Sequence, residues 1–165
     1  EASSLFYFTP VGRSDLIVRK KEIYDGALPS ANAVLAEGLL KLGTIFDRSE
    51  WREQAERMVA SLGQALVRYP GSFGYWSRVL MQQVMGLTEI TSTGPEALAW
   101  AEAGQRLYLP QALFLVVAST QPGRFSDSTL FERTTVQVCR KNTCSPPVYS
   151  PNELLIRLKN QEFPD

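Results

Sequence analysis

Apolar positions along this chain follow two regimes, and the change falls near Gly86. Before it, apolar residues recur every three or four positions, as on one face of a helix. After it, short apolar or alternating runs are separated by turn residues. The opening stretch stands apart. Leu5-Phe6-Tyr7-Phe8-Thr9 and Leu16-Ile17-Val18 are β-prone and flank Pro10-Val11-Gly12, which predicts a short β-hairpin or a pair of extended segments. Asp25-Gly26 and Pro29-Ser30 then punctuate the change to helix.

From about Ser30 to Phe46, the stripe Leu35, Leu39, Leu42 and Phe46, widened by Val34 and Ile45, predicts a helix buried along that face. Asp47 and Glu50 are placed as a capping box for a second helix, with Trp51, Ala55, Met58, Leu62 and Leu66 on one face and a stop at Tyr69-Pro70-Gly71. A third runs from Phe73 to about Val84 on Phe73, Trp76, Leu80 and Val84. The short connections predict antiparallel helical hairpins.

Beyond Gly86 the signals alternate. Leu87 to Thr91 reads as a strand, and Thr93-Gly94-Pro95-Glu96 as the capping box of a helix reaching about Tyr108. The run Ala112 to Ala118 reads as a central strand covered on both faces. A polar loop spans Ser119 to Ser128, a further strand Thr134 to Cys139, and Ser150-Pro151-Asn152-Glu153 opens a last helix through Leu154, Leu155 and Leu158. The expectation is an α+β chain in two parts. Residues 1–86 hold the β-hairpin and helical hairpins, and residues 87–165 a small three-stranded parallel α/β unit.

Composition narrows the chemistry. With 17 basic and 17 acidic residues the formal net charge is zero, so no global field gathers phosphate backbones or anionic lipids. Arg19-Lys20-Lys21 lies beside Glu22 and Asp25 and reads as a solvated strand end. Neither a nucleic acid nor a membrane is expected as partner. Histidine is absent, which excludes Ser-His-Asp and Cys-His catalysis and His-based zinc sites. Cys139 and Cys144 are too few for a structural zinc site, so no metal is expected, and four residues lie between them rather than the two of a thioredoxin-like pair. They form either a loop disulfide or two reduced, partly buried thiols. The start Glu1-Ala2-Ser3-Ser4 reads as a cut inside a longer chain, which leaves the compartment open with the cytoplasm favoured.

Three places hold candidate chemistry. Around Tyr24-Asp25-Gly26, Asp25 offers a carboxylate, Tyr24 a stacking ring, and Ser30 and Asn32 hydrogen-bonding groups. The structural alternative is that Gly26 and Pro29 set a turn, Ser30 caps the helix and Asp25 satisfies loop amides. Ser92-Thr93-Gly94 ends a strand and opens a helix, a place for an anion, but it lacks the glycines of a phosphate loop and reads as capping. Trp51, Trp76 and Trp100 lie on helical stripes as core. Glu50, Glu53, Glu56, Arg52 and Arg57 read as a solvated, mixed-charge face.

Two segments together resemble a known family. Leu16 to Asn32 contains Lys21-Glu22-Ile23-Tyr24-Asp25-Gly26-Ala27-Leu28-Pro29-Ser30-Ala31-Asn32, and Val138 to Val148 contains Cys139, Cys144 and Pro146-Pro147-Val148. Both resemble segments, in the same order, of the thioredoxin-domain-containing proteins of the spermatogenesis-associated type, a family that includes bacterial members. Ala31 stands where that pattern has Gly. The resemblance implies a parent with a thioredoxin-like domain followed by an (α/α)6 toroid similar to N-acylglucosamine 2-epimerases. This chain would be its C-terminal end, its helices completing part of the toroid. The remainder of the parent would then be its partner, with no cofactor and no self-contained catalytic residues here. A sugar ligand is implied for the Tyr24, Asp25, Ser30 and Asn32 surface. The alternative is a redox-linked interaction module acting with the thioredoxin-like domain through Cys139 and Cys144. Isolated, such a piece would expose helix faces and self-associate.

Overall fold

The computed structural model describes residues 4–12, 15–117 and 132–164. Among the described residues it is an α+β structure of six α-helices and one four-stranded mixed sheet, and the chain divides into a unit Glu1–Met85 and a unit Gly86–Asp165.

The first unit is helical. Helix α1 spans Ala31–Ile45, α2 Ser49–Ala60, α3 Gly63–Arg68 and α4 Gly74–Met85, with a 3-10 turn Pro70–Ser72 before α4. Ser30 caps α1, its side chain accepting from the Ala33 amide. A three-residue connection folds α2 back onto α1. At their contact Gly43 leaves no room for a side chain, since a Cβ there would lie 2.8 Å from Arg52 Cγ. The expected single second helix is two, because Gly63 takes φ +36° and breaks the run. Its apolar stripe survives the break: Ala55, Met58, Leu62 and Leu66 are all buried.

Three expectations are corrected in this unit. The capping box before α2 does not form, because Asp47 sits at φ 51° and its carboxylate accepts from Arg52 instead. Leu5–Thr9 and Leu16–Val18 make no ladder. The described residues there are irregular, joined by a Phe8 N–H to Lys20 carbonyl bond of 2.9 Å and by Arg19 Nη2 donating to the Thr9 carbonyl at 2.8 Å. Their backbone is held by helix side chains. Asn32 bonds the N–H and carbonyl of Phe6, and Gln54 donates to the Ser4 carbonyl. Finally, α1 buries Asn32, Ala33, Ala36, Glu37, Leu40 and Gly43, while Val34, Leu35, Leu42 and Phe46 are exposed.

In the second unit, strand β1 is Thr88–Thr93, helix α5 Ala97–Gln105, β2 Ala112–Val117, β3 Thr135–Arg140, β4 Thr143–Cys144 and helix α6 Pro151–Lys159. The sheet order is β2-β1-β3-β4. Strand β2 runs parallel to β1, whereas β3 runs antiparallel. The predicted all-parallel sheet is thus corrected, and the register gives the reason. Val117, the end of β2, and Thr135, the start of β3, both pair with Thr93, so the chain re-enters at the end where it left. A parallel third strand would need a crossover back to the Thr88 end. The polar loop predicted for Ser119–Ser128 lies outside the described residues.

The apolar run of β2 is an edge strand among the described residues, not the central one. The inner strands are β1 and β3, which side chains join as well: Thr88 accepts from Arg140, and Thr93 bonds Thr135. Helices α5 and α6 cover one face, closing a core of Ile90, Trp100, Val136, Val138, Val148, Leu154 and Leu158. Ser150 caps α6 through the Glu153 amide, as expected, but Glu96 makes no such bond at α5 and instead accepts from Trp100 Nε1 at 3.1 Å.

Candidate functional site

Asp25 stands where the irregular N-terminal segment turns towards α1. Its N–H donates to the Ser72 carbonyl at 2.9 Å. One carboxylate oxygen accepts the Ser30 amide at 2.8 Å, and the other accepts the Tyr75 amide at 2.7 Å, in the first turn of α4. This carboxylate therefore joins loop, α1 and α4. Ser30 and Asn32 are buried: the Ser30 hydroxyl donates to the Glu22 carbonyl, and Asn32 Nδ2 donates to the carbonyls of Phe6 and Glu22. Three of the four predicted ligand residues thus face backbone groups of the same unit. Tyr24 differs, being 62% exposed with its ring 5.2 Å from that of Phe73.

One turn further along α1 lies a carboxylate that the sequence reading passed over. Glu37 is 5% exposed. One of its oxygens accepts from Arg78, from Gln82 Nε2 at 3.0 Å and from Lys41 Nζ at 2.7 Å, and the other accepts the Tyr75 hydroxyl. Burial pushes the Glu37 carboxyl up, but bonds from Arg78, Lys41, Tyr75 and Gln82 outweigh it and lower the pKa from 4.5 to about 2. The same charge, accepting the Tyr75 hydroxyl, raises the phenol above its ordinary 10.0, and burial adds to this. The Arg78 guanidinium also stacks 4.6 Å from the Tyr75 ring centre. Tyr75 therefore connects the two carboxylates, its amide on Asp25 and its hydroxyl on Glu37. A signal was present in the sequence: Tyr75, Arg78 and Gln82 share one helical face, as do Glu37 and Lys41.

In the second unit Cys139 and Cys144 form a disulfide between directly opposed residues of β3 and β4, their Cα atoms 4.0 Å apart. The turn between them, Lys141-Asn142, has both residues at positive φ (46° and 67°), the conformation of a two-residue hairpin. Cys144 is exposed and Cys139 half-buried. At the start of α5, Gly94 takes φ +97° and the Glu96 amide donates to Thr134 Oγ1, so capping by the protein itself occupies the place considered for an anion. Beside it, a shallow depression of about 360 Å³ is lined by Pro95, Glu96, Trp100, Glu132, Arg133, Thr134 and Tyr149. Among the described residues no group of three or more acidic, cysteine or histidine side chains is placed to hold a metal, and no helix is long and apolar enough to cross a membrane.

No family model and no solved structure matches the chain. It is similar to curated proteins named spermatogenesis-associated protein 20. Those of Rattus norvegicus and Mus musculus are each 29% identical over 154 residues, 86% of this chain, and that of Homo sapiens is 28% identical over 152 residues, 84% of it. The chain spans 19% of the length of each of these relatives, so the similarity, consistent with the family suggested by the two motifs, covers most of this chain and about a fifth of theirs.

Proposed function

We propose that this chain is a structural and partly ligand-lining portion of a larger protein, with no self-contained catalytic centre. The observation that carries the reading is the double-sided apolar character of α1. Ala33, Ala36 and Leu40 are buried on one face, while Val34, Leu35, Leu42 and Phe46 lie open on the other. A helix apolar all round is one that packs on two sides. The similarity to relatives five times longer supports the same reading, with the rest of the parent, a thioredoxin-like domain and toroid, covering that face.

The ligand-lining part falls to the surface around Tyr24 and Asp25. A ring more than half exposed beside a fixed carboxylate suits stacking on a sugar, which is the carbohydrate-binding reading. Asp25 acts through placement, holding the loop against α4. In the full-length protein, Tyr24→Ala and Asp25→Ala should each weaken binding of the sugar ligand at least about tenfold, measured by titration calorimetry over a panel of N-acylhexosamines. Unchanged affinity in both variants would remove the ligand-lining part and leave the structural one.

The exposed disulfide favours a second, redox-linked reading, in which this portion works with the thioredoxin-like domain. Its test is the double variant Cys139→Ser, Cys144→Ser in the full-length protein. Unaltered redox activity there sinks it.

A further inference from the structure

We infer that the Cys139–Cys144 disulfide is a site of reversible thiol–disulfide exchange with a dithiol, and that the attacking sulfur enters at Cys144 Sγ. The inference deepens the redox-linked reading at the same site but needs no parent domain, because it concerns what this chain's own sulfurs can do.

Access comes first. Exchange requires a thiolate to approach along the S–S bond, and which sulfur it attacks depends on exposure. Cys144 lies on β4, the two-residue outer strand of the sheet, and is exposed, whereas Cys139 lies on β3, flanked by β1, and is half-buried. An incoming thiolate therefore meets Cys144, and Cys139 is the leaving sulfur.

A disulfide that only staples a fold closes a long loop, restricting the unfolded chain. This one closes a sequence separation of 5. The segment it crosses is held by other bonds. Val136 and Val148 exchange both backbone bonds at 2.9 and 2.8 Å, and the Ser145 amide donates to the Val138 carbonyl. Arg157 reaches from α6 to Ser145 Oγ at 2.8 Å and to the Pro146 carbonyl at 3.0 Å. Opening the S–S bond leaves this frame in place, and the frame keeps the two thiols facing one another for re-oxidation.

The chemistry balances with a dithiol as co-reactant. A donor thiolate attacks Cys144 Sγ, the Sγ–Sγ bond breaks, and Cys139 leaves as a thiolate that takes up a proton. The donor's second thiolate then attacks the donor sulfur of the mixed disulfide, and Cys144 leaves and is protonated. The chain gains two electrons and two protons as two thiols, and the donor becomes a disulfide.

The experiment uses the 165-residue chain in native buffer with dithiothreitol, followed by iodoacetamide, intact mass and far-ultraviolet circular dichroism. Two alkyl groups should appear without denaturant, with the spectrum unchanged. In the single variants, Cys144 in Cys139→Ser should react with an aromatic disulfide reagent about ten times faster than Cys139 in Cys144→Ser. Reduction only in denaturant, loss of the native spectrum on reduction, or equal or reversed rates would overturn the inference. If exchange occurs as described but the double cysteine variant leaves the full-length protein's redox activity unaltered, only the redox-linked reading of the parent is lost.

Discussion

A carboxylate taken out of water must be matched by donors or protonated, and Glu37 follows the first course with four of them. Replacing it by Gln keeps the shape but leaves Arg78, Lys41 and the Tyr75 hydroxyl facing a neutral group. The expected loss is about 2–4 kcal/mol, reduced from the fully buried case because Arg78 and Lys41 remain partly in water, and measurable by urea denaturation. The pH dependence follows from the sign of the shift. The folded pKa is depressed, so the stabilisation is fully present above the unfolded value of 4.5 and is lost as pH falls towards about 2. The Glu37→Gln variant should lose that part of the acid dependence. In the same variant the Tyr75 phenol should titrate closer to its ordinary 10.0, followed by ultraviolet absorbance. The structural alternative for Ser30, which caps α1, and for Asp25, which accepts a loop amide, was legible because turn and cap chemistry is local, whereas the grip of Asn32 on Phe6, 26 residues away, was not. Sequence reasoning missed Glu37 because the bonds from Tyr75, Arg78 and Gln82 come from 38, 41 and 45 residues away: helical spacing puts those donors on one face of α4 but does not say that Glu37 packs against it.

Elements whose boundaries are set by local chemistry were legible, and those set by neighbours were not. The caps at Ser30 and Ser150 form as the sequence predicts, because a hydroxyl needs only the amide three residues on, while the Glu153 carboxylate bonds Arg157. Strand order failed, since a continuous apolar run says that β2 has side chains to bury and says nothing about which strands flank it. The junction between β1 and α5 shows an element fixed by contact. A Cβ on Gly94 would lie 2.6 Å from the Arg133 oxygen and 2.6 Å from Thr134 Cα, at a φ of +97°. Gly94→Ala should cost about 2–4 kcal/mol, strain and clash together. Gly12, at φ +86° with nothing within 4 Å, supplies the comparison: Gly12→Ala should cost only about 1 kcal/mol, and similar unfolding midpoints for the two variants would refute the contact argument.

For the whole chain, the fold class was legible because the hydrophobic period changes once, near Gly86. The direction in which α1 faces was not. Its leucine stripe predicts the inner face, but the small residues Ala33, Ala36 and Gly43 let α1 lie against its neighbours, and Glu37 ties it to α4. The leucines are left outside. The isolated chain should therefore self-associate through this face, with molar mass rising with concentration in light scattering. Leu35→Glu with Leu42→Glu should abolish the rise while changing stability by no more than about 1 kcal/mol, since both positions are already exposed. A wild-type chain that stays monomeric at high concentration would contradict this.

The irregular N-terminal segment carries its own consequence. Its path is written largely in other parts of the chain: Asn32 fixes Phe6 and Glu22, Gln54 fixes Ser4, and Trp76 Nε1 fixes the Ile23 carbonyl. In each case a helix side chain grips backbone, which every amino acid supplies alike. A saturation library should thus tolerate many replacements at Phe6, Ile23 and Ser4, while positions 32, 54 and 76 accept few, so that the instructions for this segment are inherited through residues far from it.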